Sequence, residues 1–160
     1  MMEIAKILVP TDLSSCSRQA ALYASELAQG FGAELHLLHV WEYPEYVGGD
    51  VSVVQTGRIA HGAAEAKSLW ALAEGEAATA LGHFVESLEE HGVRLVGRHL
   101  RAGSAAIVIG EFAVSEGFDL VVAGTHGRSG TAHFMLGSVT ERVVRTCAVP
   151  VLTIRCPDAG

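Results

Sequence analysis

Short, uninterrupted apolar runs alternate with segments of helical period along most of this chain, and nothing else in the sequence restricts its fold as strongly. Ile4 to Val9 is such a run, and it stops at Pro10-Thr11-Asp12. The hydroxyl-rich stretch Ser14-Ser15-Cys16-Ser17 is suited to capping a helix, and Ala20, Ala24, Leu27, Ala28 and Phe31 follow on one helical face. Glu34 to Trp41 is again strand-like. Asp119-Leu120-Val121-Val122-Ala123 is apolar along its length, as a strand buried on both faces must be.

The remaining segments extend the same alternation. The spacing of Leu69, Ala73, Ala77, Leu81, Phe84 and Leu88 predicts a long helix over Ala63 to His91, although Gly75 and Gly82 each cost about 1 kcal/mol there relative to Ala. Val93 to Leu100 reads as a strand, the stretch from Ser104 to Gly117 as a helix, Ser138 to Cys147 as a helix and Val149 to Arg155 as the last strand. Pro44 to Gly62 shows no sustained period and reads as a loop. Strands joined by helices form a parallel sheet with right-handed crossovers. The expectation is therefore one α/β domain over residues 1–160, doubly wound, with helices on both faces of a five-stranded sheet, whose order is assumed to be 3-2-1-4-5.

Composition narrows the classes of partner. The chain carries 18 acidic and 11 Lys or Arg residues, a net charge of -7, which argues against nucleic acid. It does not argue against a local anion site, because backbone N–H groups bind phosphate without net positive charge. The N-terminus lacks the apolar stretch of a signal peptide and no run approaches the ~18 apolar residues of a membrane span, so a cytoplasmic location and no membrane partner are expected. The three cysteines, Cys16, Cys147 and Cys156, include no CxxC pair and read as thiols in a reducing compartment.

In doubly wound sheets, ligands sit beyond the strand C-termini where the winding reverses. With strand one central and strand four beside it, the loops bordering that crevice are Pro10-Thr11-Asp12 and the segment from Gly124 onward. Gly124, Gly127, Gly130 and Gly137 permit positive φ and close approach of a ligand. Gly137 and Ser138 open a helix whose first N–H groups lack partners, and Ser138 and Thr140 add hydroxyls. These features describe a triphosphate cradle; a glycine-rich turn with Ser138 as an ordinary helix cap fits the spacing equally. No Gly-Lys-Ser/Thr of a Walker loop is present, and no G-x-G-x-x-G joins the first strand to its helix.

The spacing Gly124-x2-Gly127-x9-Gly137-Ser138 resembles the G-x2-G-x9-G-S/T pattern of ATP-binding universal stress proteins. Ile7-Leu8-Val9-Pro10-Thr11-Asp12 is similar to their first strand, and Val143 through Pro150-Val151-Leu152-Thr153-Ile154 to their last helix and strand. The resemblance implies that Asp12 lies near the adenosine, with Pro10 and Thr11 also in the nucleotide-binding set, and that Val40 offers backbone contacts to adenine. It further implies that Gly127, Gly137 and Ser138 hold the phosphates, with Thr125, Arg128, Val139 and Thr140 nearby and Gly124 also in the nucleotide-binding set. ATP with Mg²⁺ or Mn²⁺ is the implied ligand. A homodimer through the strand Val149 to Arg155 is the implied assembly, and it would cover an otherwise exposed apolar edge.

Two other functions compete with regulatory ATP binding. Slow ATP hydrolysis or phosphotransfer lacks an obvious water-positioning carboxylate, since Glu141 at a helix start more simply complements the dipole. A dimeric stress protein without nucleotide is opposed by the intact glycine spacing. The eight histidines show no HxH or HxxxH pair, and His36 and His39, three apart on a strand, face opposite sides. No metal ligand set is therefore assigned. His126 and His133 flank the phosphate loop.

Overall fold

Each apolar run of the sequence becomes a strand of one parallel sheet. The computed structural model describes residues 3–42, 45–46, 52–55, 58–126 and 136–156. Along the chain these form β1 (Lys6–Thr11), α1 (Ser15–Phe31), β2 (Glu34–Trp41), β3 (Glu45–Tyr46), β4 (Ser52–Gln55), β5 (Arg58–His61) and α2 (Ala63–Glu90). β6 (Gly97–Ala102), α3 (Ala105–Ser115), β7 (Leu120–Gly124), α4 (Ser138–Thr146) and β8 (Val151–Ile154) complete the order. The main sheet has five strands in the order β6-β2-β1-β7-β8, every neighbouring pair parallel. In the sequence reading's own count of strands this is 3-2-1-4-5, as expected.

Alternation along the central strands assigns the two layers. Ile7 and Val9 of β1, Leu35 and Leu37 of β2 and Val122 of β7 pack with Ala21, Ala24 and Ala28 of α1 and with Leu81, Phe84, Val85 and Leu88 of α2. Leu8, Leu38 and Val121 turn the other way, onto Ala106, Ile109, Phe112 and Ala113 of α3 and Val143 of α4. Each fully buried Leu, Val or Ile contributes about 1.5–3 kcal/mol of transfer free energy. The buried alanines of α1 bring its backbone close to the sheet, which is how a helix with so few large side chains still seals that face.

Local signals set the ends of α1. Ser14 is the N-cap and accepts from the Ser17 N–H at 3.2 Å, while Gly32 takes the left-handed conformation (φ 68°) that closes the helix. α2 runs unbroken through Gly75 and Gly82. Its buried stripe of Leu81, Phe84, Val85 and Leu88 outweighs the propensity cost of two glycines.

The segment read as a loop, Pro44 to Gly62, is corrected by the structure. Its described residues form a small antiparallel sheet, β3-β4-β5, in which Glu45 pairs with Val54 and Val54 with Ile59. Strands of two to four residues are too short to show a period, and only their pairing reveals them. A second correction concerns the cysteines. Cys16 and Cys156, 140 residues apart, form a disulfide with 5.5 Å between their Cα atoms, and Cys147 remains free.

Candidate functional site

The carboxyl edge of the sheet collects the loops that the sequence singles out. β1 pairs with β7 at Ile7↔Leu120, and both strands end four residues later, at Thr11 and Gly124. β2 leaves β1 on one side and β8 leaves β7 on the other, so the winding reverses between β1 and β7. Val40 lies one residue beyond the last β1–β2 pair, Thr11↔His39, at the same edge. Pro10, Thr11, Asp12, Val40, Gly124 and Thr125 are thus brought to one crevice. Gly127 and Arg128 lie outside the described residues, as do Gly130 and His133.

The first wall is a tightly bonded turn. The buried Thr11 hydroxyl bonds the Ser17 hydroxyl (2.8 Å) and accepts from the Leu13 N–H (2.9 Å). Asp12 accepts from the Ser14 N–H (3.1 Å) and from the Ser14 hydroxyl through Oδ1. Asp12 therefore braces the residue that caps α1. Between them Leu13 has φ 66°, a left-handed conformation that costs a non-glycine residue on the order of 1 kcal/mol. His39 buttresses this wall from beneath, its Nδ1 2.8 Å from the Thr11 carbonyl oxygen.

The second wall is made by the end of β7 and the start of α4, which are tied together. The Gly137 N–H donates to the Thr125 carbonyl at 2.6 Å, and the Thr140 hydroxyl donates to the Gly124 carbonyl at 2.8 Å. Thr140 thus pins α4 to the end of β7, and Ser138 and Val139 stand exposed at the helix start. α4 begins at Gly137 with no side-chain cap, which leaves the first-turn N–H groups for an outside acceptor, at the positive end of the helix dipole. Glu141 in that first turn reaches back to Arg145 at 3.3 Å.

Two of these glycines, Gly124 and Gly137, work differently from the expectation. Gly137 has φ -57° and Gly124 is likewise not in the left-handed region. Gly124 is required by space instead: a Cβ there would stand 2.7 Å from Cys16 Sγ and 3.1 Å from the Cys16 carbonyl oxygen. The two walls touch at this point.

His126 supplies a feature that spacing could not show. Its Nδ1 bonds the Thr125 hydroxyl at 2.9 Å, while its Nε2 is shut off from solvent without a hydrogen-bond partner. An orphaned polar atom beside a helix start is the kind of group a ligand satisfies. No group of three or more metal-ligating side chains occurs among the described residues.

A second polar cluster lies toward the amino ends of β2 and β6, and the sequence alone did not reveal it. His36 Nδ1 is 3.0 Å from His99 Nε2, the rings are stacked with centroids 5.4 Å apart, and Glu34 Oε2 is 3.2 Å from His36 Nε2. The β2–β6 register sets His36 against Gly97, whose missing Cβ leaves room for the imidazole. Burial, then the nearby charges of His36 and Arg101, hold His99 below the ordinary imidazole value. The signal was the strand order, which brings residues 36 and 99 side by side.

Comparisons with known proteins agree with this architecture. The model of the universal stress protein family matches residues 3–155. Universal stress protein MJ0531 of Methanocaldococcus jannaschii is 36% identical over 152 residues, covering 95% of this chain and 82% of its own. Universal stress protein UspA from Lactobacillus plantarum superposes with a TM-score of 0.75 at 25% identity, covering 96% of this chain and 99% of its own. A universal stress protein solved in complex with cAMP has the same fold, with a TM-score of 0.61 at 18% identity over 96% of this chain and 98% of its own.

Proposed function

Because the chain belongs to the universal stress protein family, we propose that it serves a stress response by binding ATP at the β1–β7 crevice, as a regulatory module with little or no turnover. The observation that carries this reading is the uncapped start of α4 held against the end of β7. There the Gly137 and Thr140 bonds fix first-turn N–H groups beside the orphaned Nε2 of His126. Backbone donors in this arrangement take phosphate oxygens.

In this reading Ser138, Val139 and Gly137 line the phosphates, with Gly127 and Arg128 contributed by the intervening loop. Thr125 and Gly124 form the floor, and Asp12 and Val40 border the nucleoside. The hydroxyls of Thr11 and Thr140 hold the walls in place. Mg²⁺ or Mn²⁺ would be held chiefly by phosphate oxygens and water, as such ions usually are. Glu141 is paired with Arg145, which favours binding over hydrolysis. The family neighbour in complex with cAMP supports a nucleotide in this fold. The assembly we propose is a homodimer through β8, an edge strand with Leu152 exposed at 36%.

The test is to denature the purified protein, identify any released nucleotide by chromatography and measure the melting shift with ATP and Mg²⁺. Retained adenine nucleotide, or a shift of several degrees, is expected. If no adenine nucleotide is released and ATP with Mg²⁺ gives no shift, the proposal fails.

A further inference from the structure

We propose that Cys16 and Cys156 are a reversible redox modification site, and that their oxidation state sets how firmly the mouth of the β1–β7 crevice is clamped. The consequence for ATP rests on the binding reading above; the thiol chemistry and the clamp do not.

Position carries the inference. Cys16 lies in the first turn of α1, directly after the wall built by Thr11, Asp12 and Ser14. Cys156 lies two residues beyond β8, and the disulfide therefore joins the two ends of the chain across the same edge of the sheet. The second wall is fastened to Cys16 and to Ile154, two residues before Cys156. Gly124 packs against Cys16, and the Thr125 N–H donates to the Ile154 carbonyl at 3.0 Å. Cutting the disulfide thus frees the β8 end on which the start of the phosphate loop hangs.

Both oxidation states have a place in this site. Cys156 Sγ is 3.5 Å from the Cys16 carbonyl and 3.7 Å from the Ile154 carbonyl. A disulfide sulfur has no hydrogen to donate, so these contacts become hydrogen bonds only in the dithiol. Both sulfurs are buried, and Cys156 follows the edge strand β8 by two residues, so local opening at that edge admits a reagent. In a reducing compartment such a pair rests as thiols, and the disulfide marks exposure to oxidant.

The oxidant we name is hydrogen peroxide. The positive end of the α1 dipole favours the anionic sulfur at Cys16. That sulfur attacks one peroxide oxygen, the O–O bond breaks, and the departing hydroxide takes up a proton as water, leaving Cys16 as the sulfenic acid. Cys156 thiolate then attacks the Cys16 sulfur; the S–S bond forms, the S–O bond breaks, and hydroxide leaves with a proton as a second water. Two thiols are oxidised and one peroxide is reduced. A small dithiol reverses the linkage by exchange.

The experiment uses the full chain. Peroxide should lower the intact mass by about 2 Da and the free thiol count from three to one, Cys147 remaining. Dithiothreitol in native buffer should restore three thiols, lower Tm by about 5–15 °C and speed hydrogen exchange at the Thr125 amide. It should also weaken ATP binding by about 5- to 10-fold. Cys156→Ser should match the reduced protein in Tm and exchange and form no disulfide with peroxide, gaining about 16 Da as the Cys16 sulfenic acid instead of losing about 2 Da. Three thiols after peroxide, a linkage that resists dithiothreitol, or exchange and ATP affinity equal in both states would overturn the proposal. ATP binding absent in both states, with the exchange difference intact, would overturn the binding reading and leave the clamp standing.

Discussion

Cys16 Sγ stands 2.7 Å from the point where a Cβ on Gly124 would sit, so the end of β7 and the first turn of α1 meet with no room for a methyl group between them. Gly124→Ala should therefore push the two walls apart. Overpacking of this kind costs about 1–3 kcal/mol. Urea unfolding should show a lower midpoint at unchanged slope, and ATP binding should fall with it; a variant as stable as the parent would mean that the walls are less closely held than their geometry indicates.

Gly97 makes the same kind of demand on the other side of the molecule. A Cβ there would intrude on the His36 ring and stand 2.8 Å from His99 Nε2. Gly97→Ala is expected to separate the imidazoles and destabilise the chain by about 1–3 kcal/mol, with nucleotide binding retained because the cluster lies away from the crevice. Equilibrium unfolding beside an ATP titration distinguishes the two effects.

The same cluster predicts a pH dependence. His99 is held below the ordinary value of about 6.5 by burial first and by His36 and Arg101 next, so the folded chain takes up this proton less readily than the unfolded chain. Stability from this group is therefore complete above pH 6.5, falls as the pH drops through 6.5 and levels off below the folded value. Denaturant midpoints measured across that interval should decline in the parent and decline less in His99→Asn. Parallel curves would contradict the assignment.

The edge strand makes a prediction about assembly. Leu152 lies on β8, which among the described residues is paired on one side, by β7. If β8 carries the dimer, light scattering should give twice the 16.8-kDa chain mass, and Leu152→Lys should return the monomer. A parent already monomeric at micromolar concentration would exclude this interface.

Particular elements show how far the sequence could be read. β7 was legible because a strand covered on both faces must be apolar throughout, and β1 as a short apolar run; their adjacency had to be assumed from the sequence, and the pairing Ile7↔Leu120 supplies it. β3 to β5 were not, since strands of two to four residues leave no period. The glycine loop was legible as a place, but the reason for Gly124 was not. Its neighbour is Cys16, 108 positions away in the chain, and no local pattern records that contact. His36 with His99 and Cys16 with Cys156 were missed for the same cause: spacing along the chain says nothing until the strand order folds it.

ATP binding itself is tested most directly by calorimetric titration of MgATP into the parent and into Ser138→Asp. An acidic residue in the first turn of α4 complements the helix dipole, so the variant should be at least as stable as the parent, while its carboxylate repels phosphate. The account predicts saturable binding of one ATP per chain to the parent and loss of binding in a fully folded variant. No heat of binding in the parent, or equal affinity in both proteins, would contradict it.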